Sequence, residues 1–185
     1  MKRMTSLLAL SGAVALAVLG GRVLVAQDAG QDAGEAKYTL QVPDGLGFAE
    51  FRGYEGWHVV SVSQGNDLLK VIVANSVMIE AYKAGVPGNG QPFPDGARSA
   101  KFMWKPQKLA GVPFTAYVAG ALKHVDFMVK DSMRFAAIGG WGYAQFNYDP
   151  DSERFTPDGT GAGCGTACHT IVKSNDYVFT KYGRR

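Results

Sequence analysis

Two cysteines and a histidine carry the clearest chemistry in this 185-residue sequence, in the run Cys164-Gly165-Thr166-Ala167-Cys168-His169. Two thiols can add to the vinyl groups of a porphyrin as thioethers, and a histidine directly after the second thiol is then carried under the iron as proximal ligand. The motif predicts a covalently attached haem c, with Cys164 and Cys168 as anchors and His169 on the metal. The usual pattern has two residues between the cysteines and this one has three. The added residue is expected to be absorbed as a looser turn, while the Cys168-His169 step is unchanged. The competing reading is a Cys164–Cys168 disulfide in a secreted sheet domain without haem. A disulfide closing so small a loop stabilises little and needs strained geometry.

A haem in an electron carrier usually takes a sixth ligand from Met or His. Met78, Met103, Met128 and Met133 fall in regular segments among apolar neighbours and read as core filler. His58 and His124 begin or lie within strand-like runs, where a lone histidine is more often simply satisfied or exposed. No residue stands out as sixth ligand, so an open coordination position is expected, and with it small-molecule chemistry or binding at iron. Lys101 is the other residue singled out. Period-two alternation puts Ala97, Ser99, Lys101 and Met103 on one strand face. The small neighbours leave room for a flat ring against the lysine stem. Desolvation there would favour the neutral, nucleophilic amine.

The elements that must position these groups are mainly strands. Residues 58–63 and 68–73 are β-branched runs divided by Gly65-Asn66-Asp67, a hairpin signature. Asn75 or Ser76 can cap a helix over 77–84 that Gly85 and Pro87 stop. Residues 88–96 read as a loop, and strands are expected at 98–104, 120–129 and 141–148. Asp131 caps a short helical turn through 132–136. In the last strand Trp141 and Tyr143 share one face, and Gly142 and Ala144 the other. That small-residue face suits either a flat cofactor or close packing by another element. Residues 150–163 read as irregular, and 174–182 as a terminal helix capped by Ser174 or Asn175. The fold class is α+β, mainly antiparallel sheet with flanking helices, and the haem motif lies near the C-terminal end.

The N-terminus has the layout of a secretory signal: Met1-Lys2-Arg3, an apolar run over 7–19, then Val25-Ala26 before the cut. Leu24 is larger than a signal peptidase prefers, which leaves an uncleaved anchor as the alternative. The reading is therefore a signal peptide at 1–26, a flexible tether at 27–37 built on the repeated Gln-Asp-Ala-Gly, and one domain at 38–185. Of the 19 basic side chains, Lys2, Arg3 and Arg22 leave with the signal, so 16 face 16 acidic ones. A formally neutral mature chain with no basic block offers nothing to nucleic acid. Export to the periplasm suits haem attachment, because two free thiols there would otherwise tend to oxidise.

Taken in order, Gly53-Tyr54-Glu55-Gly56-Trp57, Asp95-Gly96 with Lys101 beyond it, Lys130-Asp131-Ser132-Met133-Arg134-Phe135-Ala136 followed by Trp141, Cys164…Cys168-His169 and Tyr177-Val178-Phe179-Thr180 resemble the cytochrome P-460 family. The related cytochromes c′-beta share the pattern. The resemblance spans roughly residues 38–182. It implies a cytochrome P-460-like single domain, a homodimer, and a five-coordinate haem with His169 as proximal ligand. For P-460 members it implies a lysine-to-haem bond, here at Lys101, and an oxidoreductase acting on hydroxylamine and nitric oxide that hands electrons to an external acceptor such as a soluble cytochrome. For c′-beta members it implies nitric oxide binding without that bond or turnover. A distal carboxylate to accept protons is not evident, since 136–140 is apolar; Glu80, Asp126 and Asp131 are the possibilities.

Overall fold

The structure, a computed structural model, describes residues 34–183. The expected signal peptide and most of the tether lie outside the described residues. The tether's last residues are tied to the domain: Glu35 pairs with Arg52 at 3.0 Å, and Lys37 pairs with Glu55 at 2.6 Å. Among the described residues no helix is long and apolar enough to cross a membrane.

One six-stranded antiparallel sheet forms the frame, with every strand beside its neighbour in sequence. The first two strands, β1 (His58–Gly65) and β2 (Leu68–Ala74), are joined by Asn66 and Asp67 at φ 53° and 54°. Two successive left-handed residues match the turn to the sheet twist, and Asn and Asp tolerate that region better than most side chains. Helix α1 (Ser76–Lys83) follows, with the Met78 N–H donating to the Asn75 side chain at 3.1 Å. Its Met78, Ile79, Ala81 and Tyr82 are buried, as one face of an amphipathic helix should be.

Strands β3 (Arg98–Lys108) and β4 (Tyr117–Lys130) run further than their sequences suggest. Pro106 hid the continuation: it cannot donate to the ladder, and the register shifts around it. Asp131 caps the next turn by accepting the Arg134 N–H at 2.9 Å. After β5 (Trp141–Asp149) comes β6 (Arg154–Pro157), an edge strand within the segment expected to be irregular. Phe155 and Thr156 favour a strand, but two residues between Arg154 and Pro157 are too short a run to announce one; pairing with β5 fixes it.

The cysteine motif also differs from expectation. It lies on a regular helix, α2 (Gly161–His169), not in a loosened turn. A 3-10 helix over Thr170–Asn175 follows, and the terminal helix expected at 174–182 is absent, because Asp176 and Tyr177 both take left-handed backbone that stops helix propagation.

The sheet has two buried faces. On one, Phe48, Phe51 and Tyr54 from two short 3-10 helices pack over Val125, Phe127 and Phe146. Phe51 stacks on Phe127 at 4.2 Å between ring centroids, and Phe48 meets Phe146 at 4.7 Å. Gly142 belongs to this side, where a Cβ would lie 2.4 Å from the Phe135 ring and 2.8 Å from Leu46. Its small size thus serves layer packing and not a cofactor. The other face carries α1, Phe93, Met128, Trp141, Tyr143 and Val178.

Candidate functional site

A cavity of about 460 Å³ opens on this second face between strands β2 to β5 and helix α2. Cys164, Cys168 and His169 from α2 and Lys101 from β3 all line it. Residues from distant parts of the chain therefore meet at a single cavity.

Three glycines make α2 a poor helix by propensity, each costing about 1 kcal/mol against alanine. Tertiary fit overrides them. A Cβ on Gly161 would sit 2.7 Å from the Gln145 backbone nitrogen, and one on Gly165 would sit 2.6 Å from the Tyr143 Cβ. Only glycine lets the helix lie this close to β5. Helical geometry also resolves the unusual cysteine spacing, because residues four apart fall about 40° apart around the axis, one turn above each other. Cys164 and Cys168 are both exposed and stand unbridged on this helix.

His169 is fixed from behind. Its Nδ1 lies 2.6 Å from the Tyr177 carbonyl oxygen. That oxygen can only accept, so Nδ1 carries the proton and Nε2 keeps its lone pair for a metal. Tyr143 and Phe179 flank the ring at 4.9 and 5.0 Å. Burial pushes the His169 imidazole below its ordinary pKa; the Tyr177 bond opposes this and the Lys101 charge adds to it. The result is the neutral, metal-binding form near neutral pH.

In the same cavity, Lys101 and Asp126 are register partners on β3 and β4, with Nζ 2.6 Å from Oδ2. Their side chains are 34% and 25% exposed. The lysine expected to be stripped of solvent thus has a counter-ion, because the strand register sets a carboxylate directly opposite it. Asp126 Oδ1 is buried without a hydrogen-bond partner, and His124 Nε2 stands 3.6 Å away. Burial lowers the His124 pKa, with Asp126 opposing and Lys101 reinforcing. Ile72, Met78, Met103 and Met128 make much of the remaining wall apolar.

Of the three carboxylates considered from sequence, only Asp126 lines the cavity. Glu80 pairs with Lys83 at 2.7 Å, and Asp131 is spent on its cap. His58 is exposed at the start of β1, and Met133 is 90% exposed, outside the core it was expected to fill. Sequence reasoning missed the Tyr177 carbonyl, a backbone group with no residue-type signature.

A family model described as Cytochrome P460 matches residues 51–180. The chain belongs to the cytochrome P460 family. No curated protein matches it. Family membership makes this a haem protein, and the site suits that group. Its imidazole is tautomerically set for a metal, two unbridged thiols share one helical face, and Asp126 Oδ1 and Tyr143 Oη are buried polar atoms without protein partners beside the cavity. Among the described residues no group of three or more His, Cys, Asp or Glu could hold a metal ion. A single imidazole suits a metal whose remaining ligands come from a macrocycle.

Proposed function

We propose that this cytochrome P460 is an exported, periplasmic c-type haem oxidoreductase acting on hydroxylamine and/or nitric oxide. In this reading it works as a homodimer and passes electrons to an external acceptor such as a soluble cytochrome. Cys164 and Cys168 are the thioether anchors, His169 is the proximal ligand of a five-coordinate iron, and Lys101 forms a covalent bond to the macrocycle edge. Export is supported by the N-terminal signal pattern and by the oxidising conditions in which attached thiols escape disulfide formation.

The observation that carries the proposal is the pairing in one cavity of the anchoring triad with the Lys101–Asp126 ion pair. When bound, the haem iron supplies an open position and one-electron redox chemistry for a nitrogen ligand. The chain supplies the proton handling. Asp126 stands beside Lys101 on the neighbouring strand, and its buried, unpartnered Oδ1 accepts protons lost as hydroxylamine is oxidised. The methionine-rich wall keeps bulk water from competing for that oxygen.

The same apolar wall favours a second reading, a nitric-oxide-binding cytochrome of the c′-beta kind without turnover. Two measurements separate them. A proteolytic peptide containing Lys101 from mature, haem-loaded protein should carry the haem mass, and hydroxylamine should drive reduction of a soluble acceptor. A free Lys101 excludes the cross-linked enzyme, and no acceptor reduction leaves the gas-binding reading. Colourless protein from a host competent in haem attachment sinks both.

A further inference from the structure

The carbonyl that holds His169 belongs to a stretch of backbone that needs holding itself. Asp176 and Tyr177 have φ of 48° and 63°, two consecutive side-chain-bearing residues in the left-handed region. Asp visits that region more readily than Tyr, and neither favours it in an unrestrained chain. Something must over-determine the turn.

The structure shows what does. Asp176 Oδ1 pairs with Lys130 Nζ at 2.7 Å, and its Oδ2 accepts the Phe93 N–H at 2.8 Å. The pair is nearly sealed from water, with side chains 7% and 12% exposed. Lys130 also donates to the Gly139 carbonyl at 3.2 Å and sits over the Trp141 ring at 5.2 Å. Gly139 in turn makes room for the Tyr177 ring, which a Cβ there would meet at 2.2 Å. The end of β4, the turn before β5 and the loop before β3 thus converge on the residue preceding the carbonyl. No other part of the site described above uses Lys130 or Asp176.

We propose that Lys130 and Asp176 are positioning residues for the iron: their buried ion pair locks the left-handed turn that aims the Tyr177 carbonyl at His169 Nδ1. This rests on His169 being the proximal ligand. A strong acceptor at Nδ1 gives the imidazole partial imidazolate character, which strengthens the iron–nitrogen bond and favours ferric over ferrous iron. Residues that touch neither haem nor substrate thereby tune both. A buried pair is also costly unless well hydrogen-bonded, and here both carboxylate oxygens and two bonds of the ammonium are satisfied.

The test is resonance Raman spectroscopy and redox titration of haem-loaded protein, with melting temperature recorded alongside. Asp176→Asn keeps an acceptor for Phe93 and removes the charge. Because it leaves Lys130 unpaired, the double variant Lys130→Met with Asp176→Asn is made as well, since removing both charges spares the fold the cost of one left alone. Both variants should shift the ferrous iron–histidine stretch to lower frequency and raise the reduction potential, while Lys130→Arg keeps wild-type values. A lowered melting temperature with band and potential unmoved overturns the positioning role and leaves the proximal-ligand reading standing. Absence of an iron–histidine band from the wild type overturns that reading, and this inference with it.

Discussion

On β3, Ala100 and Phe102 turn toward the aromatic layer, while Ser99, Lys101 and Met103, each one residue away, line the cavity. The two faces share every strand and differ in what covers them. The first is closed by the rings of Phe48, Phe51, Phe127 and Phe146 at stacking distance, with the Lys37–Glu55 pair at its edge over Phe48 and Tyr54. The second is covered only at its margins, by α1 and α2, and keeps a charged pair and three methionines between them. Period-two alternation thus lets one set of strands separate rigidity from reactivity, so a change on one face should leave the other nearly untouched.

The largest expected effect is on the closed face. Phe48→Ala should cost about 3–5 kcal/mol of stability, read in a denaturant melt, with the optical spectrum of the folded protein unchanged. A spectral change at equal folding would show that the faces are coupled. On the open face, Asp126→Asn should lower hydroxylamine-dependent acceptor reduction by about 10²-fold, with stability shifted by no more than about 1 kcal/mol, as expected for a partly exposed ion pair. Undiminished turnover would remove Asp126 from the proton path.

Gly165→Ala probes the seam between helix and sheet. The added methyl meets Tyr143, so α2 must lift; about 1–3 kcal/mol should be lost and haem content should fall with it. An unchanged melt and full haem loading would show that the helix does not depend on this approach. The smallest effect is a pH dependence away from both faces. The Ser132 hydroxyl, with the Ser132 N–H, holds the Asp95 carboxyl below its ordinary value. That carboxylate therefore adds stability above the unfolded carboxyl pKa of about 4, and the gain is lost as pH falls through the lower folded value. Ser132→Ala should make the acid limb of melting temperature against pH shallower; superimposable limbs would refute it.

Much of this was legible along the chain. Gly65-Asn66-Asp67 announced the first hairpin, Asn75 the start of α1, and the alternation from Ala97 to Met103 the cavity face of β3, because turns, caps and strand periodicity are set by neighbours within a few residues. β6 and α2 were not legible. The first has only Phe155 and Thr156 as strand formers, too short a run to stand out without its partner, and the second is a glycine-rich segment whose close approach to β5 the sequence does not display.

The sequence by itself determined that two thiols and a histidine stand in the order haem attachment requires, that a lysine shares a strand face with small residues, and that antiparallel sheet would carry them. Tertiary structure alone decided that Asp126 faces Lys101, that the cysteines stack on one helical turn, and that a backbone oxygen at Tyr177 sets the tautomer of His169. The physical reason is range. Residue type and spacing encode local preference, whereas strand register, close approach through glycine and the direction of a carbonyl exist only after distant segments have packed.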